Sequence, residues 1–259
     1  MMNTWAAATV VAVVAGLVGI FVVIRGASFA AHALPLGTFP GAAAASVLGL
    51  NLVACLLAFA VIGVAGISQL GHSERHEVAT ALTLTVLLAV GALFLSMTTG
   101  YAQAVEALLF GQTLGVTRGE LLALLAASLG ALGLLAVMFR PLLLDSVSPE
   151  LAAARGVSSR AMEVLFLLML GLATSVALPV VGALLVFSLM VGPASAARAL
   201  TDQPIGAMAL SAVLAVAVVW VSVALAFLSD WPIGFFVGFL GAVSYAAGRV
   251  WPRWGLAAA

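Results

Sequence analysis

No lysine occurs anywhere in the 259 residues; all nine basic residues are arginine. A nucleotide-binding P-loop needs a lysine on the phosphates, so this chain carries none. Schiff-base chemistry is excluded for the same reason. If ATP drives this protein, another polypeptide hydrolyses it. Charge of either sign is scarce: charged residues make up 7% of the chain, nine acidic against nine basic. That balance leaves no basic face for nucleic acid and no polybasic run for lipid headgroups. Cysteine is nearly absent as well. Cys55 stands alone inside an apolar run, so no internal disulfide can form.

What fills the chain instead is apolar. Hydrophobic residues reach 65% and the mean hydropathy is +1.30, against about 45–50% apolar and about 25% charged in soluble domains. Only lipid tolerates such an exterior, and in lipid the backbone must satisfy itself, which favours helices. The fold class expected is all-α: one polytopic transmembrane helix bundle over residues 1–259 in the plasma or inner membrane. The N-terminal apolar run, Thr4 to Ile24, lacks the basic flank of a secretory signal and exceeds the usual signal length. It reads as a retained span.

Length and breaks give about eight spans. The first four are Thr4–Ile24, Ala42–Ile67, Val78–Thr98 and Glu120–Phe139. Met162 to Ala197 is too long for one crossing, and Pro179 with Gly182 divides it at Leu178–Gly182. Ile205–Leu228 and Ile233–Val250 complete the set. Gly26–Gly41, with two prolines, and Gly100–Gly119 are read as segments that dip into or lie on the membrane. With the Arg140–Ala161 connector inside the cell, alternation puts seven arginines inside. Arg25 and Arg118 fall outside, so both termini are expected in the cytoplasm.

That connector contains SPELAAARGVSSR, Ser148 to Arg160. Ser148 is a good N-cap, Pro149 fits the first helical position and Glu150 suits the positive helix end. Arg155 falls in the last turn and Gly156 is a stop signal. A helix this short is marginal alone, so it packs either on the chain's own spans or in the groove of a partner ATPase.

The same segment resembles the loop of permease subunits in the zinc, manganese and iron ABC importers, the ZnuB-like family. VALPVVGALLVFSLMVGPASAARAL from Val176, LLFGQTLGVTRGELLAL from Leu108, SDWPIGFFVG from Ser229 and RGASFAAHALPLGTFPGAA from Arg25 are similar to other motifs of that family, in family order. The resemblance implies a single permease domain that pairs with a second copy. It also implies two copies of a cytoplasmic ATPase and an extracellular solute-binding protein. ATP is then used by the partner, no cofactor resides in this chain, and the cargo is a divalent metal. Ser148, Pro149, Glu150, Arg155 and Gly156 become the ATPase-coupling residues.

The metal residues depart from the family pattern. Aligned on Pro40-Gly41, His32 stands where the family has Asp, and Leu36 where it has a His one turn on. Residues four apart share a helix face, so this chain keeps one of two donors. His32, Asn51 in the second span and Asp230 beside Pro232 are the candidate path residues. His72 and His76, four apart with Glu74 between them, are a candidate metal loop; a polar turn is the plainer reading. Gly234 and Gly238 form a small-residue step for helix contact.

A complexed or non-metal cargo is the alternative within the family. An intramembrane enzyme would need a nucleophile–base pair or an H-E-x-x-H, and neither is present. A secondary transporter would want acidic groups at mid-membrane, and no span has one well centred.

Overall fold

The computed structural model describes residues 2–70, 76–97, 109–110, 118–229 and 231–257, and those residues form ten helices and no strands. In chain order they are α1 (Met2–Ile24), α2 (Ser28–Leu48), α3 (Leu52–Leu70), α4 (His76–Ser96) and α5 (Arg118–Val147). Then follow α6 (Pro149–Ala154), α7 (Ser159–Val181), α8 (Val186–Leu200), α9 (Pro204–Ser229) and α10 (Ile233–Ala257). Seven of them are long and apolar enough to cross a membrane. The other two long elements are α2, which contains two prolines, and α8, whose 15 residues rise about 22 Å, less than the roughly 30 Å of a hydrocarbon core.

Two boundaries differ from the sequence expectation. The stretch Ala42–Ile67 is not one span. It breaks at Gly49, which takes φ +65°, and the chain restarts at Leu52. Gly26–Gly41 is accordingly most of a complete helix. Pro35 and Pro40 are tolerated inside α2 because 14 of its 21 residues are buried against neighbouring helices. The Thr38 hydroxyl donates to the Pro35 carbonyl at 2.8 Å. The polar connector is also shorter than Arg140–Ala161, because α5 continues through Pro141 to Val147. Packing carries it past the proline: Leu142 and Asp145 are buried. The division of the long apolar stretch is at Gly182, φ +88°, with Pro179 still inside α7.

The bundle is organised around α1 and α7, whose apolar windows are 67% and 72% buried. Their side chains, among them Val11, Val18, Phe21, Met169, Leu170 and Val176, form the main core. Association in lipid depends on close packing rather than on water expulsion, and glycine supplies the closeness. A Cβ at Gly16 would lie 2.8 Å from the Ser211 carbonyl oxygen, and one at Gly19 would collide with the Met190 carbonyl. The Ser211 hydroxyl uses that approach to donate to the Gly16 carbonyl at 2.7 Å. Further along, the Trp220 indole N–H donates to Thr9 Oγ1 at 2.9 Å. Gly234 and Gly238 do serve a close contact, and it is within the chain, against Leu185.

A charged network fixes which helix ends meet. Arg25, just past α1, donates from Nη1 to Asp145 Oδ2 at 2.9 Å and to Ser146 Oγ at 3.2 Å. Ser159, at the start of α7, donates to Asp145 Oδ1 at 2.7 Å. The Arg25 guanidinium also lies 5.3 Å over the Phe166 ring. So the ends of α1 and α5 and the start of α7 share one end of the bundle.

Arg25 is therefore at the same end as the connector, not opposite it. The cause is α2, which returns the chain to the far end before α3 begins. Counting α2 and α8, nine helices run between the two ends. The Met2 end of α1 consequently lies opposite the C-terminal end of α10, where Gly248 packs on Ala196 of α8. Arg140, Arg155, Arg160, Arg198 and Arg249 join Arg25 at the connector end, while α5 starts with Arg118 at the other.

The Asp145 and Arg25 side chains are 3% and 15% exposed. Removing one buried partner strands the other charge, at a cost of about 3–5 kcal/mol. Asp145→Leu is therefore expected to lower the melting temperature of the detergent-purified protein sharply. The double variant Arg25→Leu/Asp145→Leu is expected to recover most of the loss. Thermal unfolding of the two variants side by side measures this.

Candidate functional site

Helix α6 is built by local sequence. Pro149 opens it, Glu150 lies in its first turn, and Ser148 precedes it in an extended conformation at φ −147°. The Ser148 side chain makes no capping bond, so it caps by position alone. Ser158 does use its side chain, accepting from the Ala161 amide at 3.4 Å to cap α7. Arg155 is the C-cap of α6 rather than a last-turn residue. Gly156 follows at φ +76°. Its amide donates to the Ala153 carbonyl at 3.0 Å, and the Val157 amide donates to the Ala152 carbonyl at 2.9 Å. This pair of bonds is the Schellman closure that a left-handed glycine permits.

One face of α6 packs on the chain itself, with Ala152 fully buried. Glu150, Leu151, Ala153, Ala154 and Arg155 are exposed. Both readings of the helix thus describe part of it: it is anchored on α5 and offers its other side outward. Asp145 stands four residues before its start and Ser159 five after its end. Through them its two flanks are tied to Arg25.

Beside this network a cavity of about 280 Å3 opens, lined by Arg25, Phe29, Glu77, Thr80, Glu163 and Phe166 among others. One turn along α2 from Phe29 is His32. It is half-buried, with its ring edge-on to Phe187 of α8 at 5.5 Å. Leu36, another turn on, is also half-buried. Phe29, His32 and Leu36 form the less buried stripe of an otherwise enclosed helix. On α8, Phe187, Val191 and Ser195 repeat every four residues and are likewise half-buried.

The other candidates do not converge on His32. Asn51 is not inside a span. It sits in the break after α2, exposed, and its side-chain oxygen accepts from the Ala54 amide at 3.1 Å, capping α3. About 24 Å of helix separates His32 from the end of α2. His76 opens α4, while His72 and Asp230 lie outside the described residues. So does most of Gly100–Gly119; from it, Leu109 accepts from the Leu184 amide at 3.3 Å, at the turn between α7 and α8. Among the described residues no three His, Cys, Asp or Glu side chains are grouped as a metal site.

The Arg25–Asp145–Ser159 network was absent from the sequence reading. Its signal was Asp145 itself, an acidic residue following Leu142, Leu143 and Leu144. Such a residue at membrane depth needs a partner, but the sequence does not say which.

Comparison with known proteins bears on this arrangement. A model of the ABC 3 transport family matches residues 1–247. The chain is 28% identical over 199 residues to the manganese transport system membrane protein MntC of Halalkalibacterium halodurans, covering 76% of this chain and 68% of that one. It is 24% identical to the high-affinity zinc uptake system membrane protein ZnuB of Buchnera aphidicola, covering 77% and 78%. Its fold is similar to that in the structure of PsaBC from Streptococcus pneumoniae in complex with Fab. There the TM-score is 0.85 at 23% identity, with 95% of this chain and 90% of that one covered. With its family model spanning nearly the whole chain, this multi-pass membrane protein belongs to the ABC 3 transport family, as the permease rather than the ATP-hydrolysing component.

Proposed function

We propose that the chain, paired with a second copy, forms the translocation path of an importer for a divalent transition-metal ion. A solute-binding protein delivers the ion outside the cell, and a cytoplasmic ATPase pair drives the cycle. The observation that carries the coupling half of this reading is α6. It is a capped helix with one face buried on α5 and the other exposed, at the bundle end that holds six arginines. Arginine-rich ends stay in the cytoplasm, which puts α6 where an ATPase can reach it. The N-terminus is then outside and the C-terminus inside.

Force applied to α6 has a route into the membrane. Of its flanking residues, Ser159 holds Asp145 and Asp145 holds Arg25, so a tilt of α6 moves the ends of α1, α5 and α7 together.

The metal cargo is supported by the manganese and zinc systems among the relatives and by an imidazole, a ligand suited to such ions, on the half-buried stripe of α2. One imidazole does not replace a hydration shell, so further donors must complete the coordination. A complexed metal that carries its own ligands is the second reading. Leu36, in the place of the family's histidine, favours it.

Three outcomes are expected. In a Cys55→Ala background, Leu50→Cys reacts with a membrane-impermeant maleimide on intact cells, and Ser158→Cys only after permeabilisation. The reverse pattern inverts the bundle. Gly156→Val forces a branched residue to φ +76° and Glu150→Arg reverses charge on the exposed face. Each should cut transport-linked ATP hydrolysis roughly tenfold, about 1.4 kcal/mol, while the permease still inserts. Normal coupling in both would reduce α6 to a connector. His32→Ala should abolish gene-dependent uptake of radioactive manganese or zinc without lowering permease amount. No gene-dependent uptake of either ion would shift the assignment to a complexed cargo.

A further inference from the structure

At the connector end, on the outside of the bundle, α5 and the turn after α6 enclose an open groove of about 640 Å3. Phe139, Leu144, Val147 and Val157 line it, and Arg140 and Arg155 stand at its edges. Apart from those two arginines its lining is apolar. The arginines are exposed, and neither has an ion-pair partner among the described residues.

The α5 face leading to the groove has no neighbour among the described residues. Leu129 is 70% exposed and Val137 81% exposed, and a Cβ added at Gly130 or Gly133 would meet nothing within 4 Å. Val137, Arg140, Leu144 and Val147 follow one another at three- and four-residue steps, so they share one side of α5. That side presents apolar surface at membrane depth, then positive charge at the membrane boundary.

We propose that this groove holds the headgroup of an anionic phospholipid, its phosphate between Arg140 and Arg155 and its acyl chains along the exposed face of α5 at Val137, Gly133 and Leu129. The charge pattern selects this occupant. Guanidinium groups match phosphate oxygens in a bidentate fork, and basic pockets at the cytoplasmic membrane boundary attract acidic headgroups. A free anion would leave the exposed apolar face of α5 at Leu129 and Val137 unused. A second copy of the chain seated there by twofold symmetry would bring its own two arginines against these. The proposal needs only that the bundle sits in a bilayer; it does not depend on the cargo, and it gives Arg155 to the lipid headgroup rather than to the ATPase.

The test titrates the full-length permease, purified in neutral detergent, with phosphatidylglycerol and separately with phosphatidylcholine, reading bound lipid by native mass spectrometry. The first phosphatidylglycerol is expected to bind roughly thirtyfold more tightly than phosphatidylcholine, from two arginines near an anionic headgroup. The double variant Arg140→Gln/Arg155→Gln is expected to lose that preference, and Arg118→Gln, at the other end, to keep it. Val137→Asn is expected to weaken both lipids while leaving the preference. Equal affinity for the two lipids, or an unchanged preference in the double variant, would overturn the proposal. Full displacement by millimolar inorganic phosphate would overturn it in favour of a free anion. A double variant that keeps its lipid preference but no longer co-purifies with the ATPase would assign the arginines to that partner instead.

Discussion

Asp145 and Arg25 form an ion pair in a molecule that has almost no charge to spare. The pair links the end of the first helix to the end of the fifth, 120 residues apart. Packed inside the protein at 3% and 15% exposure, neither side chain has much water to fall back on, so each requires the other at a fixed place. Ser159 takes the second carboxylate oxygen and brings in the start of α7. Three helix ends are thereby pinned around α6, and the direction of every other crossing follows from that pin. Hydrophobic burial does not distinguish one arrangement of apolar helices from another when the solvent is itself apolar. A directional, desolvated contact does.

The rest of the bundle is specified by close approach. Gly16 and Gly19 let α1 lie against the backbones of α9 and α8, and Gly241 does the same for α10 on α8. These contacts hold α8 in place although it is too short to span. Its buried beginning, after Gly182, meets Leu109 instead of lipid. A broken helix is tolerated at membrane depth only where protein surrounds the break, and Val181 and Ala183 are both fully buried.

This enclosure also bears on the candidate path. His32 faces Phe187 across α2 and α8, on the less buried stripe of each. Among the described residues no group of three His, Cys, Asp or Glu side chains surrounds that imidazole, a ligand-poor setting for a bare ion. The acidic residues stand one step away, with Glu77 and Glu163 around the cavity beside Arg25. The imidazole and the two carboxylates thus stand on three different helices, α2, α4 and α7, and are not gathered at one point.

Composition alone indicated that the chain lives in lipid as helices and carries no lysine-bearing P-loop, because both conclusions depend on totals and on a missing lysine. Helix α6 was legible because its signals are local: Pro149 at the start and Gly156 past the end lie within eight residues. The full length of α2 was not legible, since Pro35 and Pro40 read as breaks and only burial on neighbouring helices overrides them. That one helix reversed the place of Arg25. Asn51 likewise read as a residue inside a span until the turn at Gly49 made it a cap. Contacts between distant residues leave no trace in local pattern. Arg25 finds Asp145, and Arg140 comes to stand across a groove from Arg155, only because the helices pack as they do.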